Sequence, residues 1–407
     1  MTTEHNKKTE LVYDDQDSIP EGGYGWVIVV GSFFIHLICF GVITSCDIPN
    51  AALQLSFVGT LCGAFANFMA PVAQILRSML GTRIVCIIGS LLMALGLCMA
   101  GFTSQIWHLY LTQSFCYGFG VSCSYSMTII VAPQYFERRR GVALGCITSG
   151  AGIGGILVPL IMNAINSSLG SAWTYRILGF MSLACNLLGS ILIKDRIPQS
   201  RVRKRLGEII GLDVFRNKCY SIWCLAGVLQ MIAYYVPYFF VPSYATFYGL
   251  TASQGASLVS ISFAFNFIGR ICAGIVSDRI GPINTNIIFT VISALSNLII
   301  WTFAFNYGAI IVFMIVIGFT SGCYLSLMSS ITASILDANK FPMGLAIAIL
   351  LNGTAVFSTT ISSAIESRID AQPFLTYKMF AGVAYLFATL VMLWLKFTIN
   401  RKVLTKL

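Results

Sequence analysis

Twelve stretches of this chain run for about twenty residues with scarcely a charge in them, and that restricts the fold more than any other feature. A helix needs roughly 20 apolar residues to cross a hydrocarbon layer. The runs lie at about 26–45, 51–76, 83–102, 107–133, 141–164 and 173–193, then at about 219–240, 253–276, 284–304, 307–333, 343–365 and 375–397. Hydrophobic residues make up 57% of the chain and charged residues 10%, against roughly 25% charged in soluble domains. A soluble core has no use for so much apolar surface. The sequence predicts an all-α polytopic membrane protein of twelve transmembrane helices, with the lipid bilayer as its solvent.

The links between runs are short except for residues 194–218, KDRIPQSRVRKRLGEIIGLDVFRNK, which divide the runs six and six. The expected organisation is a tail at 1–24, a six-helix bundle at 25–193, a basic linker at 194–218, a second six-helix bundle at 219–398 and a tail at 399–407. Orientation follows from lysine and arginine, which accumulate on the cytoplasmic side. With the N-terminus inside, Arg77, Arg83, Arg138, Arg139, Arg140, Arg279, Lys340, the linker and the tail residues Arg401, Lys402 and Lys406 are all cytoplasmic. Arg176, Arg368 and Lys378 alone fall outside. The net charge of +10 therefore describes cytoplasmic loops, and no nucleic-acid partner is expected.

Chemistry other than transport finds little footing. Thirteen cysteines are scattered through apolar runs with no Cys-x-x-Cys pair, so neither a disulfide framework nor a metal site is expected. His5, His36 and His108 have no visible catalytic partner, and no phosphate-cradling loop with a nearby lysine occurs. An enzyme is not expected, nor is a cofactor.

The halves echo each other. Gly118-Phe119 and Cys123 recur as Gly318-Phe319 and Cys323, and Gly81 recurs as Gly281, all at an offset of 200 residues. Gly141-Val142-Ala143 resembles Gly344-Leu345-Ala346, 203 residues on. These matches fall in corresponding runs, which suits two bundles related by duplication with a pathway between them.

Three motifs carry a family resemblance. Ser277-Asp278-Arg279-Ile280-Gly281 resembles the cytoplasmic loop motif of the major facilitator superfamily, and Arg77 to Arg83 is its degenerate first-half counterpart, lacking the aspartate. Glu21-Gly22-Gly23-Tyr24-Gly25-Trp26 is similar to the signature that opens the first span of monocarboxylate transporters. Tyr135 to Gly145, with the cluster Arg138-Arg139-Arg140, resembles that family's second signature. The resemblance covers Pro20 to about Lys402 and is closest in style to fungal members. It implies the major facilitator fold in a plasma membrane, with Arg138–Arg140, Asp278, Arg279 and Gly281 in gating or structural roles. Two departures stand out: the link between spans 1 and 2 is about ten residues short, and Asn266 occupies the place where animal members carry an aspartate in span 8.

One charge lies deep in a span. Arg270, in FAFNFIGRICAG, is eight residues before Asp278, roughly 12 Å from the cytoplasmic end at 1.5 Å per residue. An arginine at the centre of a span costs about 2.5–3.5 kcal/mol on insertion scales. Every acidic residue lies in a tail, a loop or near a span end, so no carboxylate is a clear partner. Either Arg270 binds an anionic substrate, for which a guanidinium and a carboxylate match in geometry, or it caps carbonyls and snorkels. The resemblance favours the substrate. Asn266, His36, Tyr125 and Asn352 are further candidates for the same cavity, each with helix packing as the competing role.

The expected function is an alternating-access secondary transporter of a small organic anion, a monocarboxylate first. The alternatives are a facilitator of a larger planar metabolite such as riboflavin, and a non-transporting sensor on the same fold, which the short tails disfavour.

Overall fold

The computed structural model describes residues 21–43, 52–103, 105–196, 212–368 and 372–400. Most of the N-terminal tail, the link at 46–50, the middle of the 194–218 linker and the end of the C-terminal tail lie outside the described residues. Helix α1 is Tyr24–Ile43, α2 is Ala52–Phe68 continued by Ala70–Leu80, α3 is Thr82–Ala100 and α4 is Ile106–Gln134. Arg140–Leu192 is one helical run of 53 residues. In the second half α7 is Lys218–Phe247, α8 Ala252–Ile280, α9 Pro282–Ile300, α10 Tyr307–Ile335, α11 Phe341–Glu366 and α12 Leu375–Ile399.

The 53-residue run would be about 80 Å long if straight, against a hydrocarbon layer of about 30 Å. It breaks at Gly170, whose φ of 79° and ψ of 172° are not helical. Its contacts show that it doubles back. Along α1, Gly25 meets Phe136, Phe33 meets Gly150 and Leu37 meets Gly154, in ascending order. Gly31 meets Gly189, however, and Tyr24 Oη donates to the Leu192 carbonyl at 3.0 Å, in descending order. Residues 140–169 (α5) thus run parallel to α1 and residues 171–192 (α6) antiparallel to it. The described residues hold twelve traverses, and α1 starts and α12 ends on one side, called here the near face.

Helix α2 covers the apolar run at about 51–76 and is bent by 46° between Phe68 and Ala70. Pro71 begins its second segment; lacking an N–H and crowding the preceding turn, proline breaks the helical ladder there. The repeat is visible in the backbone. Gly81 has φ 87° and ψ 161°, and Gly281 has φ 95° and ψ 149°. Each N–H donates at 2.9 Å to the carbonyl four residues back, Arg77 and Ser277 respectively. Only glycine takes this positive φ without strain, which is why it recurs. One apolar core passes through both halves, whereas a second, around Tyr244, Trp301, Phe313 and Tyr377, belongs to the far end of the second half.

Candidate functional site

Two faces of α5 explain its glycines. Gly150 and Gly154 lie against the α1 backbone at Phe33 and Leu37. Gly141, Gly145, Gly152 and Gly155 lie against α8, at Gly274, Arg270, Phe267 and Phe263. A methyl on Gly145 would come within 2.5 Å of the Arg270 carbonyl. Small residues let the two backbones close up, and this seam joins one half of the molecule to the other.

Arg270 is 4% exposed in the middle of that seam. Its Nε donates to Asn266 Oδ1 at 2.7 Å, one helical turn away, and its Nη1 donates across the seam to the Thr148 carbonyl of α5 at 2.8 Å. Asn266 in turn donates from Nδ2 to the Gly318 carbonyl at 3.2 Å and to Tyr238 Oη at 3.4 Å. Tyr238 Oη also accepts from Ser262 at 3.2 Å and lies 3.3 Å from Ser321 Oγ. Among the described residues no carboxylate lies within 4.0 Å of the guanidinium. It is a buried cation held by neutral groups.

The other sequence candidates fall at different depths. His36 and Tyr125 pack edge to face with ring centroids 5.2 Å apart, and both lie near enough to feel the charge of Arg270. They come from the first half and lie within electrostatic range of the arginine of the second. Asn352 is a layer away: it accepts from Tyr324 Oη at 2.9 Å where α11 tightens into a 3-10 turn. Tyr238, Thr148 and Ser321 were not singled out as site residues from the sequence. Thr148 acts through its carbonyl, which no side-chain pattern can announce, while Tyr238 stands in the tyrosine-rich stretch Tyr234-Tyr235-Val236-Pro237-Tyr238. Two hollows of the surface lie at span ends, one against Ile361, Ala364 and Arg368, the other against Asp213, Asp337 and Lys340; neither touches Arg270.

The near face is fastened by carboxylates on backbone amides. Asp278, at the end of α8, accepts from the N–H of Gly141 at 2.7 Å and of Val142 at 2.9 Å, capping the first turn of α5 from the other half. An anion is favoured at a helix N-terminus, where unpaired N–H groups gather. Glu21 accepts from the N–H groups of Glu137, Arg138 and Arg139 at 3.0, 2.5 and 3.2 Å. Burial opposes the charge on Glu21, but these backbone donors outweigh it and hold the carboxyl below its ordinary 4.5. The guanidinium groups of Arg138, Arg139 and Arg140 have no carboxylate within 4.0 Å among the described residues, so the junction of the halves here runs through amides. Arg279 and Gly281 follow Asp278 at the exposed end of α8 and its cap.

The two signature stretches meet. Besides the Glu21 contact, Gly25 abuts Phe136, and the Trp26 ring stands edge-on to Phe136 with centroids 5.1 Å apart. Gly23, at φ 61°, takes the left-handed turn into α1, while Gly22 lies beside Trp26 and Tyr24 anchors on α6. The degenerate first-half motif is held differently: Arg77 Nη2 pairs with Asp195 at 3.6 Å and its Nε donates to Thr82 at 2.9 Å.

The described residues form two echoing halves of long apolar helices with a buried cation on the seam, the architecture of a polytopic membrane protein. The family model of the Major Facilitator Superfamily matches residues 27–358, and the chain belongs to that superfamily as a secondary transporter. It is 27% identical over 334 residues to the MFS transporter asaE of Aspergillus flavus, covering 79% of this chain and 75% of that protein. It is 27% identical over 374 residues to the riboflavin transporter MCH5 of Saccharomyces cerevisiae, covering 84% of this chain and 72% of that protein. Among solved structures, the E. coli fucose:proton symporter FucP superposes with a TM-score of 0.74 at 17% identity, covering 90% of this chain and 97% of that one. The proton:xylose symporter XylE gives 0.72 at 14% identity, covering 91% and 95%. These two likenesses concern the fold.

Proposed function

We propose that the chain carries a small organic anion, a monocarboxylate first, through a site centred on Arg270. The observation that carries this reading is the state of the guanidinium: buried, on the seam between halves, and bound by Asn266 and Thr148 with no carboxylate at hand. These groups take two of its five N–H donors, and the Tyr234 side chain stands beside the guanidinium as well. A substrate carboxylate would supply the missing counter-charge with bidentate geometry.

In this reading bundles 25–193 and 219–398 rock about the site, and Asp278 on the α5 N-terminus is a contact that holds the near face shut. Such a contact has two discrete arrangements, made and broken, as alternating access requires. The distribution of lysine and arginine supports a cytoplasmic near face, and a plasma membrane is taken from the family resemblance. A second reading, a facilitator of a larger planar metabolite, draws on the likeness to a riboflavin transporter.

Uptake of labelled monocarboxylates into vesicles containing the purified chain tests the proposal. Arg270→Gln is expected to abolish uptake with folding retained, and Arg270→Lys to restore little of it, because lysine keeps the charge and loses the fork. Uptake by Arg270→Gln at the wild-type rate would sink the proposal.

A further inference from the structure

The first-half side of the site holds an unused hydrogen-bond acceptor. His36 is 1% exposed, and its Nδ1 lies 3.0 Å from the Ser32 carbonyl. A carbonyl can only accept, so Nδ1 carries the hydrogen and the neutral imidazole offers a lone pair at Nε2. That Nε2 is buried and has no hydrogen-bond partner. The ring is fixed by Tyr125 and by Phe40, whose centroids lie 5.2 and 6.0 Å away. A buried acceptor left unpaired is costly, and such atoms in native proteins are usually satisfied by something.

Aromatic rings stand on both sides of the seam. In the second half Tyr234 and Tyr238 have centroids 5.0 Å apart, and Tyr238 and Phe263 5.3 Å apart. In the first half Phe40 and Tyr125 are 5.3 Å apart. Tyr125 of the first half lies within electrostatic range of Tyr235 of the second, and within the second half Tyr234 stands beside Arg270. Tyr234, Tyr235, Tyr238, Phe263 and Phe40 nonetheless keep part of their surface accessible. A three-carbon acid on Arg270 would leave both ring clusters and His36 Nε2 without a partner. A planar ring between them would gain offset or edge-to-face contacts.

Resting on the carboxylate reading of Arg270, we infer that the substrate is an aromatic acid bearing a hydrogen-bond donor: its carboxylate on Arg270, its ring between the two aromatic clusters, and its hydroxyl or N–H on His36 Nε2. His36 then sets specificity for the donor, and Tyr234, Tyr238 and Phe263 set it for the ring. The site discriminates because a substrate lacking the donor leaves a buried acceptor empty.

The test is calorimetric titration of the purified full-length chain in lipid nanodiscs with the three hydroxybenzoates, benzoate, cyclohexanecarboxylate and lactate. At least one hydroxybenzoate is expected to bind about tenfold tighter than benzoate, and benzoate about tenfold tighter than cyclohexanecarboxylate or lactate. His36→Phe should close the first gap and leave the second. His36→Gln, which keeps an acceptor, should retain part of the first. Thermal unfolding of each variant checks that it is folded. Equal affinity for all the acids, or a gap unchanged in His36→Phe, overturns the inference. Loss of all acid binding in Arg270→Gln would then leave the monocarboxylate reading standing, and undiminished binding there would remove that too. Failure of every acid to bind the wild-type chain overturns both.

Discussion

The Ser329 hydroxyl of α10 donates to the Ile129 carbonyl of α4 at 2.8 Å, and the two residues are 200 positions apart. That separation is the offset at which Gly81 recurs as Gly281 and Gly118 as Gly318. Residues related by the internal repeat therefore touch each other, which places the contact on the axis relating the halves. Close by, Thr148 Oγ1 of α5 lies 2.8 Å from Ser326 Oγ of α10. With Asp278 on the start of α5, these bonds make the near side of the seam a continuous polar junction. In the proposed carrier, rocking of the bundles would have to break it.

Joining the axis contact covalently should therefore stop transport. In a cysteine-free background, Ile129→Cys with Ser329→Cys, linked by a short thiol-cleavable reagent, is expected to lose at least nine-tenths of its uptake. Reduction should restore it. Full uptake by a completely cross-linked protein would show that α4 and α10 stay together throughout the cycle.

Removing the Asp278 carboxylate should favour opening at the near face. Loss of a side-chain cap costs about 0.5–2 kcal/mol, and here the cap bridges the halves. Asp278→Ala should lower the unfolding midpoint and speed labelling, by a thiol reagent from the near side, of a cysteine substituted for Ser326, which lies on the seam opposite Thr148. Asp278→Asn, which keeps one acceptor, should show a smaller effect. Unchanged labelling in both variants would mean that the bond does not gate.

Glu21 gives a pH dependence whose sign is fixed. Backbone donors depress its folded pKa below the ordinary 4.5, so its stabilisation is complete above that value and disappears as pH falls through the folded one. Glu21→Gln is expected to unfold at lower temperature than wild type from pH 6 to 8. The two curves should converge below pH 4.5. A difference that persists at pH 3 would assign the effect to something other than the carboxylate.

The sequence showed the fold because lipid imposes it: run length and charge distribution are direct consequences of the hydrocarbon layer. It also showed Arg270, because a lone charge in an apolar run is conspicuous. The division of α5 into an α1 face and an α8 face was hidden, since Gly150 and Gly152 look alike until their neighbours are known. The pairing of Asp278 was hidden for another reason. Three arginines stood nearby as obvious partners, yet the amides of Gly141 and Val142 hold the carboxylate, and amides leave no mark in a sequence. The bend of α2 has a sequence mark in Pro71, but the apolar run continues through it and does not show a break.

The glycine seam can be probed directly. A methyl at Gly145 would stand 2.5 Å from the Arg270 carbonyl, a backbone atom that moves only with its helix. Gly63 has nothing within 4 Å of the same methyl. Gly145→Ala should lower the unfolding midpoint and impair uptake. Gly63→Ala should be neutral or stabilising by up to about 1 kcal/mol, as alanine is the better helix former. Equal behaviour of the two would refute close packing of α5 on α8 as a requirement.

The last prediction concerns coupling. A carrier that uses a proton gradient needs a titratable group in its pathway, and at the position where animal members of the resembled family carry an aspartate this chain has Asn266. Asn266 is fully engaged as a neutral partner, accepting from Arg270 and donating to Gly318. Among the described residues His36 is the titratable group within electrostatic range of Arg270 that changes charge near neutral pH in its unperturbed state. Its Nδ1 is committed to Ser32, which leaves Nε2 to accept from substrate or to take a proton. We expect facilitated diffusion, with His36 neutral throughout. Uptake into vesicles would then stop at equal concentrations inside and out, whether or not a pH gradient is imposed, and an uncoupler would change nothing. Accumulation against a gradient that collapses with the uncoupler, and that His36→Gln removes while leaving binding intact, would instead make His36 the proton carrier. Gln separates the two roles cleanly: it can accept a hydrogen bond but cannot carry the proton.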